Sequence, residues 1–223
     1  MSKHISGEYD KELQILQTTL TTLGGVAEQQ LENAMRAFLT NDSKLAAQVK
    51  ATELQINRYA IELDREVTSV IARRQPAAAD LRLIVSILKN GTDIERVGDE
   101  AERIAKMSDR LSLYDSSRPY HGPLTELYGR VSNALRTSLD VYARLDVETA
   151  LQTIAGDREV DALYDVVVKK VTDEMTSNQS RLTSELSIIW VARSLERISD
   201  HAKNICETVV YLVHGQNIMH NVL

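Results

Sequence analysis

Proline placement constrains this chain more than any other feature. Its 223 residues include three prolines, and these fall at two places, Pro76 and the pair Pro119 and Pro123. Proline removes a backbone donor and breaks a helix interior, so the long proline-free stretches are open to helix. Glycine is sparse too, at nine residues, which is too few turn residues for a many-stranded β fold. Within these stretches the apolar residues recur at helical spacing. Leu13, Leu16, Leu20 and Leu23 share one face of a first helix, over about residues 10–39. Leu45, Val49, Ile56, Leu63, Val67 and Val70 face inward on a second, which ends near Arg74. Asn41-Asp42 between them reads as a turn plus N-cap. Pro76 marks the first turn of a third helix running to about Leu111, with Asp80 well placed for its dipole. Three more helices are expected, over about 123–155, 157–177 and 182–214, with breaks at Gly156-Asp157 and at 177–180. The fold class is all-α, as two tandem quasi-repeated three-helix bundles: residues 1–111, a turn-rich linker 112–122, and residues 123–223.

The two halves share residues as well as layout. Glu95-Arg96-Val97-Gly98-Asp99, followed by Ala101 and Ile104, returns as Glu196-Arg197-Ile198-Ser199-Asp200, followed by Ala202 and Ile205. The pattern E-R-[VI]-[GS]-D-x-A-x-x-I recurs at an offset of 101 residues, an internal duplication. A weaker echo links Glu53, Ile56 and Asn57 to Asp157, Val160 and Asp161 at an offset of 104. The first half thus carries three extra residues, which fit the turn between Arg73 and Asp80.

Composition narrows the function classes. A formal net charge of -6 argues against wholesale nucleic-acid binding. One cysteine, Cys206, can build neither an intramolecular disulfide nor a multi-thiolate metal site. It aligns with Ala105 and reads as a small buried residue. Residues 1–9 hold no apolar signal core, and the apolar stretch 186–192 is far below the ~20 residues a bilayer span needs. A cytoplasmic location is expected. Trp190, with Leu186 and Ile189, is expected in the core.

The carboxylates carry the chemistry. Residues four apart on a helix are neighbours. Glu95 and Asp99, Glu196 and Asp200, and the run Asp157, Asp161 and Asp165 all have that spacing. Like charges so placed destabilise an isolated helix by about 0.2–0.5 kcal/mol per pair, and the recurrence of the arrangement in both halves suggests that something cationic compensates it. Glu95 and Asp99 lie beside the apolar stripe Ile94, Val97, Ala101 and Ile104, as Glu196 and Asp200 lie beside Leu195, Ile198, Ala202 and Ile205. That puts them at the edge of helix packing. Gly98 and Ser199 are small enough there for close approach by another helix or a ligand. Three readings stand: neutralisation by Arg96, Arg103, Lys106 and Arg197; a site for a hard divalent ion such as Mg, Mn, Fe or Ca; or general acid/base catalysis. The last is poorly supported, because no nucleophile motif or Gly-rich phosphate loop accompanies the carboxylates. The ferritin-like di-iron pattern, Glu-x-x-His, is absent: none of His4, His121, His201, His214 and His220 has Glu three residues before it. His201 could serve as a spare ligand but reads more simply as structural, and Asp93, matched by Ser194, is doubtful as a ligand.

Two three-helix units, the doubled motif, and Arg74-Gln75-Pro76-x-Ala78-x-Asp80-Leu81-Arg82 between the second and third helices together resemble the PhoU family, over nearly the whole chain. The resemblance implies a cytoplasmic, all-helical, non-enzymatic regulator of phosphate uptake and phosphate-starvation signalling. It implies an adaptor between the ATPase subunit of a phosphate ABC transporter and a sensor histidine kinase, favouring repression when phosphate is plentiful. It further implies a homodimer, membrane association only through partners, no direct nucleic-acid contact, and metal ions (Mg, Mn or Fe) on E(D)-x-x-x-D motifs. The matching positions are Glu95 and Asp99, Glu196 and Asp200, Asp157 and Asp161, and Glu53 and Asn57. Asn57 departs from the acidic pattern and offers a carbonyl oxygen without charge, which predicts a weaker or differently filled first site. The runner-up readings are a carboxylate-bridged metalloenzyme and a purely structural helical scaffold.

Overall fold

A computed structural model describes residues 7–108 and 114–215. They form six long helices: α1 (Gly7–Thr40), α2 (Ser43–Arg74), α3 (Ala78–Ser108), α4 (His121–Arg144), α5 (Val147–Ser177) and α6 (Leu182–His214), with a 3-10 turn at Gln179–Arg181. The helix periodicity read from sequence holds: all ten apolar residues named on the first two helices are buried, as are both stripes beside the carboxylates. Cys206 is buried as well. The end of the third helix and the start of the linker fall partly outside the described residues.

Helices α1, α2 and α3 pack together, as do α4, α5 and α6, and α3 lies against α6 to join the two bundles. Gly24 lets α1 approach α4, since a Cβ there would stand 2.7 Å from Leu139 Cδ2. The matched helix pairs turn in the same way. Asn41 at φ 52 precedes Asp42, whose Oδ1 accepts from the Lys44 and Leu45 N–H groups. Leu145 at φ 56 precedes Asp146, whose carboxylate accepts from the Thr149 N–H and hydroxyl.

That second turn corrects the expected boundary. The chain reverses at Leu145-Asp146, and α5 runs without interruption through Gly156-Asp157. An isolated glycine is tolerated inside a helix that packing holds in place, and Val160, Val167 and Val171 anchor this one in the core. The duplication is clearer for the shift, because Asp42 and Asp146 lie at the same 104-residue offset as Glu53 and Asp157.

The three extra residues of the first half are Gln75, Pro76 and Ala77, the whole of the α2–α3 connection. Gln75 and Ala78 both take positive φ, 48° and 49°. Arg74 holds this turn to α1 with a bidentate pair of hydrogen bonds to Glu12, at 2.9 and 3.0 Å. Trp190 and Leu186 also differ from expectation: they are 58% and 43% exposed. They share an outward face of α6 with Leu182, while Ile188, Val191 and Leu195 take the core side.

Candidate functional site

Each bundle places an acidic cluster where its second and third helices meet. In the first, Glu53 and Asn57 come from α2, and Glu95 and Asp99 from α3. Glu53 is the innermost, 4% exposed. Its Oε2 accepts a hydrogen bond of 2.9 Å from Gln30 Nε2 on α1, while its Oε1 is buried without a partner. Burial, offset only in part by Gln30 and reinforced by the charges of Asp99, Glu102 and Glu95, pushes the Glu53 carboxyl up to about 7. Glu95 is raised by burial and then by Asp99, against the pull of Arg96 and His201. Asn57 and Glu95 both line a groove of about 610 Å3 between α2 and α3. Gly98 is what lets Glu53 in, because a Cβ there would stand 2.7 Å from Glu53 Oε2 and 3.0 Å from Ile56 Cδ1.

In the second bundle the same places hold Asp157 and Asp161 from α5, and Glu196 and Asp200 from α6. Asp157 is the innermost. It is one methylene shorter than Glu53, and the room left is taken by Ser199, whose hydroxyl donates to Asp157 Oδ1 at 2.8 Å. Lys203 Nζ donates to Asp157 Oδ2 at 3.0 Å. Burial alone would lower the Lys203 ammonium, but the hydrogen bond and charge of Asp157, with Glu207 and Asp200, outweigh it and hold it up. Arg193 Nη1 donates to Glu196 Oε1 at 2.7 Å, while Glu196 Oε2 is buried without a partner. Asp161, Glu196 and Asp200 are each raised, first by burial and then by neighbouring acids of the cluster. Asp200 is open along its edge, yet its carboxyl still feels Asp157 and Asp161. Where α1 offers Gln30, the matching residue of α4 is Ala134, and a cavity of about 300 Å3 lies between α4 and α5, reaching Asp157 and Ser199.

The expected arginine neutralisation goes elsewhere. Arg103 and Arg197 both donate to Oε1 of Glu100, at 2.5 and 3.0 Å, and Ser194 donates to its Oε2 at 2.8 Å. Lys106 pairs with Glu102, and Arg96 makes no ion pair among the described residues. Asp93 and His201 are structural: His201 Nδ1 lies 2.9 Å from Asp93 Oδ1, and Asn204 donates to the same oxygen at 3.0 Å. The pairings Asp93–His201 and Ser194–Glu100 exchange under the 101-residue offset, so the α3–α6 crossing is a pseudo-two-fold joint. A cleft of about 310 Å3 at this joint takes one acid from each cluster, Asp99 and Asp200.

Among the described residues no three His, Cys, Asp or Glu side chains are gathered closely enough to hold a metal ion as they stand. The donor chemistry nonetheless fits a hard cation. Both clusters present oxygen donors alone, burial makes their charged form costly, and each keeps one buried glutamate oxygen without a hydrogen bond. Residues that the motif reading passed over are Gln30, Glu102 and Lys203. The last two were legible as a sign change at matched positions of the repeat.

Fold and site define a duplicated helical-bundle protein with one acidic cluster per repeat and no helix, among the described residues, long and apolar enough to cross a membrane. The PhoU domain family model matches it twice, over residues 20–108 and 124–209. The chain is 39% identical over 220 residues to the phosphate-specific transport system accessory protein PhoU homolog of Pseudomonas putida, covering 99% of this chain and 86% of that protein. It is 35% identical over 221 residues to the phosphate-specific transport system accessory protein PhoU of Escherichia coli K12, covering 99% and 91%. The crystal structure of PhoU from Pseudomonas aeruginosa superposes with a TM-score of 0.89 at 38% identity, covering 93% of this chain and all of that one. The chain belongs to the PhoU family.

Proposed function

We propose that the protein is a cytoplasmic, non-enzymatic adaptor of phosphate transport. It connects the ATPase subunit of a phosphate ABC transporter to a sensor histidine kinase and favours repression of the starvation response when phosphate is plentiful. The observation that carries this reading is the match over nearly its whole length, through both repeats, to accessory proteins of phosphate-specific transport. The surface chemistry agrees with docking rather than turnover. Leu182, Leu186 and Trp190 form an exposed apolar row at four-residue spacing on α6, and such rows recognise partner surfaces or a second copy. The two acidic clusters then serve as cation sites that brace the helix junctions, held by Glu53, Asn57, Glu95 and Asp99 in one bundle and by Asp157, Asp161, Glu196 and Asp200 in the other. A bound Mg, Mn or Fe ion supplies positive charge to these carboxylates. The chain's own residues supply the oxygens and the close helix packing that brings them near one another.

The reading is tested in the source cell by deleting the gene and following a phosphate-starvation reporter in phosphate-rich medium. Constitutive expression, reversed by the intact gene, is expected; an unchanged reporter overturns the regulatory role. Binding of the purified chain to the transporter ATPase and to the kinase's cytoplasmic portion tests the adaptor role, and failure to bind either overturns it. Elemental analysis of the protein and of a Glu95→Ala, Asp99→Ala, Glu196→Ala, Asp200→Ala variant tests the cation sites. Unchanged metal content removes these four from the ligand set.

A further inference from the structure

The two repeats hold a filled and an unfilled version of one groove. In the first bundle the groove of about 610 Å3 between α2 and α3 is lined by Ala60, Ile61, Leu88 and Thr92, with Glu95 among its polar groups. In the second bundle Tyr164 stands in the place of Ala60, at the 104-residue offset, and Ile189 and Arg193 in those of Leu88 and Thr92, at 101. Tyr164 and Ile189 are partly buried and pack against the core. The Arg193 guanidinium lies over the Tyr164 ring, 5.9 Å from its centroid, and donates to Glu196 Oε1 at 2.7 Å. The second repeat thus fills this place with its own aromatic ring and its own cation, and the cation meets the motif glutamate. The first repeat lacks both. Ala60 ends at a methyl group. Thr92 turns its hydroxyl to the Leu88 carbonyl at 3.2 Å and is too short to give Glu95 the ion pair that Glu196 has. The rim differs in the same sense. Leu54 and Ile61, 59% and 55% exposed, stand seven residues apart on one face of α2, and their counterparts on α5 are Arg158 and Asp165. The first repeat sets exposed apolar side chains beside an open groove that holds an acid, where the second has charged side chains beside a filled one.

We propose that this groove is the docking site for a helical segment of a partner protein, one that presents an aromatic side chain and, one turn away, an arginine or lysine. The incoming ring takes the place that Tyr164 holds in the second repeat, and the incoming cation meets Glu95 as Arg193 meets Glu196. Residues three or four apart on a helix are neighbours, so one helix face can carry both groups into a groove between two others. Charge complementarity selects the cation. Asp64 and Glu95 outnumber Arg65 in the lining, and Asp99 adds to the negative field at Glu95. Leu54 and Ile61 give the rest of the segment an apolar surface to cover, which favours association as that area leaves water. The proposal rests on the adaptor reading and adds to it the place, and the side chains, by which one of the two partners is held.

The test is a titration of the full chain with the transporter ATPase and with the kinase's cytoplasmic portion, followed by calorimetry. Ala60→Tyr with Thr92→Arg gives the first repeat the second repeat's own filling. It is expected to weaken binding to one of the two partners by about tenfold or more and to leave the other unchanged. Leu54→Arg with Ile61→Asp changes exposed side chains alone and is expected to weaken the same partner. Circular dichroism melts check the fold, and this second variant replaces the first if the first does not melt cooperatively. A photoreactive side chain at position 61 is expected to crosslink that partner within a helix carrying an aromatic residue three or four positions from an arginine or lysine. Wild-type affinity of both variants for both partners overturns the docking site and leaves the adaptor role standing. So does a crosslink to a segment without that pair, or no crosslink, or self-association that the variants abolish while both partners still bind. Failure of the wild type to bind either partner overturns both.

Discussion

Glu53 and Asp157 occupy the same place in two copies of one bundle, and they solve the problem of a buried acid differently. Around Glu53 the solution is steric. The longer side chain reaches over Gly98, takes one hydrogen bond from Gln30, and leaves an oxygen free. Around Asp157 the solution is electrostatic and internal. The shorter side chain is met by the Ser199 hydroxyl and the Lys203 ammonium, and both oxygens are used. Duplication keeps helix packing, because the apolar stripe must still fill the same interior, but it leaves the polar lining free to diverge. The two sites thus share a shape and differ in what meets the innermost acid, a neutral amide at Glu53 and a hydroxyl with an ammonium at Asp157.

The largest expected effect is on pH dependence. Glu53 sits at about 7 in the folded chain against 4.5 for an unburied glutamate. The folded state therefore binds a proton more tightly than the unfolded state, and the associated stability is fully present below pH 4.5 and lost as pH rises through 7. The loss should be on the order of 3 kcal/mol without metal. Thermal melts of metal-free Glu53→Gln should lack this decline between pH 5 and about 8, and saturating Mn2+ should flatten it in the wild type. A wild-type melting temperature that rises over this range would break the comparison. Next in size is Gly98→Val, expected to destabilise by about 1–3 kcal/mol through overpacking against Glu53 and Ile56. Denaturant unfolding measures this, and Ser199→Val at the roomier matching position should cost less.

Ser199→Ala should cost about 1 kcal/mol, the worth of one hydrogen bond to a carboxylate in a partly closed site. Asp146→Ala and Asp42→Ala should each cost about 1 kcal/mol as lost helix caps. Their near equality would mark the turns as the part of the repeat that has not diverged. The smallest stability change belongs to Trp190→Ser, within about 0.5 kcal/mol because the ring is exposed. Its effect should appear in partner binding, and undiminished affinity for both the ATPase and the kinase would clear this face of a docking role.

The apolar core was readable because its period is enforced along thirty-residue helices, where each turn repeats the same evidence of which side faces in. Single sites were harder. Gly156 carries the usual signature of a break, yet the helix passes through it, and the true reversal rests on Leu145 at positive φ, a residue type that advertises no turn. Trp190 and Leu186 are apolar at helical spacing and so imitate core, and only their offset from Ile188, Val191 and Leu195 separates them. Of the acidic clusters, the eight motif positions were legible in the repeat, while Gln30 was not, since it comes from another helix and belongs to no motif. Lys203 was present in the alignment of the two halves but becomes informative only once Nζ is seen on Asp157.

The joint of α3 and α6 makes the helix framework nearly the same from either end, so backbone shape alone offers a partner two similar faces. Gln75, Pro76 and Ala77 remove that ambiguity. Clamped to α1 through Arg74 and Glu12, they form a rigid landmark on one end alone, giving the protein a front and a back that can be told apart by touch.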